Sequence, residues 1–270
     1  MRLRLPLVYH PHYSCTWPTT HRFPMGKFAD LHTFLQTQPS VLETATWHTP
    51  EEAPAHAWVE AVHAPAYYHS FISGSLSDAE ARRIGFGAEM RRPELIRRTL
   101  LECSGTVLTA RLALQHGIAC NLAGGTHHAH HDFGSGFTIL NDLAVAAKYM
   151  ISHERLERVA IVDLDVHQGD GTASIFEGDM SVFTLSMHCG DNFPLRKSRS
   201  DLDIDVPAGT ADADYLRMLS GALPAMLASF RCLSLVSFYY WSKSLKCMCM
   251  TPGSNHCSRR SRAGSRASCM

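Results

Sequence analysis

Val159-Ala160-Ile161-Val162-Asp163-Leu164-Asp165-Val166-His167-Gln168-Gly169-Asp170-Gly171 is the stretch around which the rest of the chain falls into place. It opens as an apolar run with β-branched residues and closes in acids, a histidine and glycines. That is the pattern of a buried parallel strand delivering functional groups at its carboxyl end. Side chains alternate along a strand, so Asp163, Asp165 and His167 are expected to point the same way. Two carboxylates and an imidazole on one edge cost several kcal/mol unless a cation or hydrogen-bond partners compensate them. A divalent metal is the simplest compensation, and aspartate with histidine suits zinc. A solvated strand end is the competing explanation, but it gives no reason to concentrate so many ligand types.

A second stretch lies upstream. Gly117 to Ala123 predicts a strand that runs into Gly124-Gly125-Thr126-His127-His128-Ala129-His130-His131-Asp132-Phe133-Gly134-Ser135-Gly136-Phe137. Glycines permit tight turns and close approach to a ligand, and adjacent histidines can serve as acid, base or metal ligand. The alternative is a loose histidine-rich metal tract. The loop precedes a helix start at Asn141-Asp142-Leu143, where either polar residue can cap. Loops leaving parallel strands at their carboxyl ends are where α/β sheets build sites.

Further out, Leu5 to Tyr9 predicts a short first strand, and His10, His12 and His21 fall in a polar loop that can line a site entrance. Helices are predicted over Lys27 to Gln36, closed by Pro39, from Pro50 through Trp58 to near Pro65, and over Ala66 to Ile72. A longer one is predicted over Glu94 to Gln115, stopped by Gly117. No internal repeat is evident.

At 270 residues the chain is compatible with one large α/β domain. Its 25 basic and 25 acidic residues cancel, which gives no sign of a nucleic-acid partner. The balance hides an asymmetry: the last acid is Asp214, and five of the nine cysteines lie beyond Phe230. The cysteines form no evident disulfide framework, which points to a reducing compartment. No apolar run approaches the roughly 20 residues of a membrane helix, so a cytoplasmic protein is expected, with a nuclear one as the eukaryotic variant.

The paired motifs Gly124-Gly125-Thr126-His127-His128-Ala129 with Gly134-Ser135-Gly136-Phe137, and then Asp163 to Gly171, resemble the zinc-dependent histone deacetylase family of the arginase/deacetylase superfamily. A third segment, Thr184 to Lys197 with Ser200 to Asp203, is most similar to its class IV and bacterial deacetylase-like members. The resemblance implies an α/β, three-layer arginase/deacetylase-type fold with a central parallel sheet. It implies a deacetylase-like catalytic domain over residues 1–231. It also implies a zinc-dependent amidohydrolase acting on N-acetyl-lysine, with acetylpolyamines or other small N-acetyl amines as rival substrates. A catalytically silent acetyl-lysine-binding module is the alternative. A manganese ureohydrolase ranks last, because it expects Asp-x-His-x-Asp.

Carried over position by position, the resemblance makes His127 and His128 the paired catalytic histidines, with Asp163 orienting the first and Asp170 supporting the second. Asp165 and His167 become two of three protein ligands to one zinc ion. Asp163, Asp165, His167, Ser186 and Met187 fall where the family often places a structural potassium. Gly136 and Phe137 would line a narrow substrate tunnel, with His21 as a further substrate-binding residue.

The departures lie near the end. The family's third zinc ligand is an aspartate just after the next core strand, yet Leu233 to Ser244 contains no acid. Its transition-state tyrosine comes from a glycine-rich loop that is not recognisable here, and Tyr239 and Tyr240 sit in a strand-like run. Losing an oxyanion donor typically costs about 10²–10³ in rate, so impaired activity is expected. The C-terminal strands are expected to be missing or disordered. Residues 232–270 read as a non-homologous basic tail, as from a frameshift near Arg231, with nucleic-acid binding as the lesser alternative.

Overall fold

The computed structural model describes residues 4–51, 54–230, 235–238 and 246–249. The chain begins with β1 (Leu5–Val8), α1 (Lys27–Gln36), α2 (Pro39–Thr44) and β2 (Ala45–His48). Short helices α3 (His56–Glu60), α4 (Pro65–Ile72) and α5 (Asp78–Ile84) lead to the long α6 (Pro93–His116). Then follow β3 (Ile118–Asn121), α7 (Asp142–Ser152), β4 (Val159–Asp163), α8 (Asp170–Phe176), β5 (Val182–Cys189), β6 (Leu202–Val206), α9 (Asp212–Phe230), β7 (Leu235–Phe238) and β8 (Lys246–Cys249).

The strands form two four-stranded sheets, ordered β2-β1-β3-β8 and β6-β5-β4-β7. All pairings are parallel except β3 with β8. Parallel strands need crossovers, and the intervening helices cover both faces. β4 shows why this requires three layers. Val159 and Ile161 pack into a cluster with α6 and α7. Their alternating neighbours Ala160 and Val162 pack with Leu219 and Met226 of α9 on the opposite face. Every residue of the strand is buried, which explains why it reads as a continuous apolar run. β6, in contrast, alternates apolar Leu202 and Ile204 with exposed Asp203 and Asp205. Charges facing out from an edge strand discourage unwanted pairing.

Several predicted boundaries shift. The helix expected from Pro50 begins at His56, and Pro39, expected to close α1, instead opens α2. Beyond α9 the described residues include β7, which continues the sheet beside β4, and β8, which pairs with β3. Tyr239, Tyr240 and residues 250–270 of the basic tail lie outside the described residues. Cys120 is disulfide-bonded, which departs from the all-thiol expectation, whereas Cys15, Cys103 and Cys189 are free. Among the described residues, no helix is long and apolar enough to cross a membrane.

Candidate active site

The site forms where the exits of β3 and β4 converge. β4 ends at Asp163, so strand alternation stops there and the loop takes over. The backbone N–H of Asp165 donates to Asp163 Oδ1 at 2.9 Å, and that of His167 donates to Asp165 Oδ1 at 2.8 Å. These two successive side-chain-closed turns, rather than a β pleat, carry the three residues into the site. Gly169 lets the loop pass close behind Asp163, since a Cβ there would sit 2.3 Å from Asp163 Oδ2.

The histidine loop is held from α7. Asn141 caps the helix through the Ala144 N–H at 3.0 Å, while its amide donates to Ala129 O at 3.0 Å. Asp142, fully buried, accepts from the N–H groups of Gly125 (2.8 Å) and Thr126 (2.7 Å) and from two threonine hydroxyls. The loop is therefore fixed by charge-assisted bonds.

Two histidine–aspartate pairs result. His127 Nδ1–H donates to Asp163 Oδ2 at 2.5 Å, and His128 Nδ1–H donates to Asp170 Oδ1 at 2.6 Å. The two imidazoles lie 4.0 Å apart by ring centroids. Asp170 also accepts from His130 Nε2 at 3.2 Å, and His130 stacks on Phe133. Burial, followed by the charge of His127, lowers the pKa of His128 to about 4 against the pull of Asp170. His128 is therefore neutral at physiological pH. Burial opposes ionisation of Asp170, but bonds from His128 and His130 outweigh it and hold the carboxyl below the usual range. Asp165 behaves alike: burial is outweighed by its bond from the His167 ring, then by His127.

A cavity of about 270 Å³ opens onto these groups, with His127, His128, Gly136, Phe137, Asp165 and His167 in its wall. Gly136 has φ 55°, and a Cβ there would meet His128 Cδ2 at 2.6 Å. Phe137 also has positive φ, an outlier for an aromatic residue. Its N–H donates to Ile84 O, and Phe23 and Phe86 pack around its ring. Phe193 meets the His128 ring edge-on at 4.9 Å.

His21 stands behind Phe137, with Nδ1 accepting from Phe23 N–H and Nε2 directed at Gly85 O. Ser186 lies opposite Asp163 in the β4–β5 register, and its hydroxyl bonds to His188 at 3.0 Å. The Met187 side chain is buried among apolar residues, so only its backbone could face an ion.

Sequence reasoning missed two contributors. Arg98 and Glu102 form a buried two-pronged ion pair in the cavity wall, and Glu102 accepts the Gly124 N–H at 2.8 Å. Opposite charges four residues apart on the apolar α6 were the available signal. Asp142 was legible only as a possible cap.

Asp165 and His167 are the expected metal donors. His167 Nδ1 lies 2.9 Å from Asp165 Oδ1, near the roughly 3.3 Å that two ligands span on a tetrahedral zinc. Among the described residues no group of three or more histidine, cysteine, aspartate or glutamate side chains is arranged to hold a metal ion. The donor set thus fits a pair of ligands and does not fit a three-donor catalytic zinc centre.

With this geometry in view, comparison with known proteins is direct. A histone deacetylase domain matches residues 21–237, and the chain belongs to the histone deacetylase family. The fold is accordingly the arginase/deacetylase one. It is 48% identical over 226 residues to an uncharacterized protein of Picosynechococcus sp. (84% of this chain, 74% of that one). It is 34% identical over 133 residues to histone deacetylase 2 of Arabidopsis thaliana (48% and 34%). It is 37% identical over 119 residues to the acetoin utilization protein AcuC of Staphylococcus aureus (43% and 30%). The chain thus spans about a third of the last two relatives. The family match extends slightly beyond residue 231, where the motif resemblance fades.

Proposed function

We propose that this chain binds an N-acetylated amine, with acetyl-lysine as the leading substrate and acetylpolyamines as the rival, and hydrolyses its amide. The observation that carries this reading is the pair of adjacent His–Asp couples facing one cavity. Neutral His128, with Nδ1–H committed to Asp170, presents Nε2 as the base for the attacking water. Water adds to the amide carbon, the C–N bond breaks, and the proton held by His128 passes to the leaving amine. His127, oriented by Asp163, stands beside His128 in the cavity wall. Gly136, Phe137 and Phe193 confine the acyl-bearing arm. Zinc, expected from the family, would find Asp165 and His167 here; no step is derived through it, and none through a potassium ion near Asp163 and Ser186.

We take residues 1–231 as the functional domain and a cytoplasmic location as its setting. The incomplete metal donor set favours a second reading, a binding module that holds acetyl-lysine without turning it over. Turnover and binding of an acetyl-lysine peptide and an acetylated polyamine, by the whole chain and by His128→Ala, separate the two. Hydrolysis abolished in the variant supports the enzyme. Binding without hydrolysis supports the module, and neither binding nor hydrolysis refutes both.

A further inference from the structure

We infer that Asp165 and His167 form a two-donor half-site that binds zinc weakly and exchangeably, so that the ion is not a resident part of the fold. The inference rests on the assignment of these two residues in the proposed site, and goes beyond it.

The argument begins with the carboxylates. A buried carboxylate needs compensation, and each one here already has protein donors. Asp163 takes the His127 ring and the Asp165 N–H, and Asp170 takes the His128 and His130 rings. Asp165 takes the ring and backbone N–H of His167. These hydrogen bonds hold the loop conformation. The separation of His167 Nδ1 and Asp165 Oδ1 nevertheless suits two adjacent ligands, so zinc that displaces the shared proton finds them nearly in place.

Among the described residues no third histidine, cysteine, aspartate or glutamate is arranged with this pair to hold a metal ion. β7 is the parallel neighbour of β4 and ends with Phe238 opposite Asp163. After Phe238 the sequence continues Tyr239-Tyr240-Trp241-Ser242-Lys243-Ser244, without carboxylate, imidazole or thiol. No aspartate or glutamate occurs after Asp214. A catalytic zinc site ordinarily has three protein ligands. Disturbing even an outer-shell partner costs 10–100-fold in affinity, so losing a direct ligand should cost at least about 100-fold.

The test is zinc binding by the whole chain, measured by competition with a chelating indicator and by metal content after desalting. Circular dichroism verifies that the variants remain folded. The expected result is one weak site, at least about 100-fold weaker than that of a zinc enzyme with three protein ligands, lost on desalting and abolished in both Asp165→Ala and His167→Ala. Stoichiometric zinc retained through desalting overturns the inference. So does zinc that survives either substitution, which would lie elsewhere, as on the cysteines beyond residue 230, and so does a chain that binds no zinc. Since no substrate is used, tight zinc would sink this inference while leaving the proposed hydrolysis standing. Failure of an acetylated ligand to bind would do the reverse.

Discussion

Acidification should loosen the histidine loop through His63, a residue outside the reacting groups. His63 is completely buried. Its Nε2 accepts the Asn141 N–H at 2.8 Å, and its Nδ1 is directed at His131 O at 3.3 Å. A second proton would turn the Nε2 acceptor into a donor facing another donor, at the residue that caps α7. Burial, partly opposed by bonds to the loop carbonyls, lowers the pKa of His63 to about 4 from 6.5. The native state therefore resists a proton that the unfolded chain accepts. Its contribution is fully present above about pH 6.5 and is lost as pH falls towards 4. At about 1.4 kcal/mol per pH unit this amounts to about 3 kcal/mol, a large part of the 5–15 kcal/mol typical of a domain. Urea unfolding of wild type and His63→Gln between about pH 7 and pH 4 isolates the effect from other groups. The variant is expected to be less stable at neutral pH and to lose less on acidification, so the two curves converge. A gap that stays constant across this range would refute the reasoning.

Other perturbations probe the supports of the site. Asp142→Ala removes the acceptor for two loop N–H groups and two hydroxyls; at about 1–3 kcal/mol per orphaned donor, thermal denaturation should show a loss above about 3 kcal/mol. Glu102→Ala leaves Arg98 buried without its partner, so unfolding should register about 3–5 kcal/mol of destabilisation, with a charge-neutral Arg98→Met, Glu102→Leu double variant recovering part of it. Gly136→Ala drives a methyl into the His128 ring; acetyl-peptide binding is expected to weaken by about 10-fold or more, a 1.4 kcal/mol effect, and strain at this positive φ should lower stability by about 1–3 kcal/mol in thermal unfolding.

Local chemistry made much of the frame readable. α1 matches its predicted span, Lys27–Gln36, and α6 extends the expected Glu94 to Gln115 by one residue at each end. Long apolar spacing and a glycine stop are strong signals. β2 was not legible: Ala45–His48 is only four residues, directly after a helix, and its pairing with β1 supplies what its length lacks. The acids and histidine after β4 lie where the exits of β3 and β4 converge, but strand alternation does not put them there. Asp163 and Asp165 each cap the next turn of the loop, so side-chain hydrogen bonding takes over where the strand ends.

The least legible features are those that depend on distant parts of the chain. Asp142 and Gly125 are 17 residues apart, His130 and Asp170 are 40, and Arg98 Nε reaches Tyr13 O across 85. No local propensity encodes such meetings, which follow only once the parallel sheet has brought the exits of β3 and β4 together. Those long-range bonds also answer the question raised by the crowded acids. A divalent metal was the simplest expected offset for Asp163 and Asp165, with hydrogen-bond partners as the alternative, and the fold supplies such partners from its own histidines and backbone. The two imidazoles that stabilise Asp163 and Asp170 also line the cavity, so one set of groups both offsets the carboxylates and shapes the candidate site.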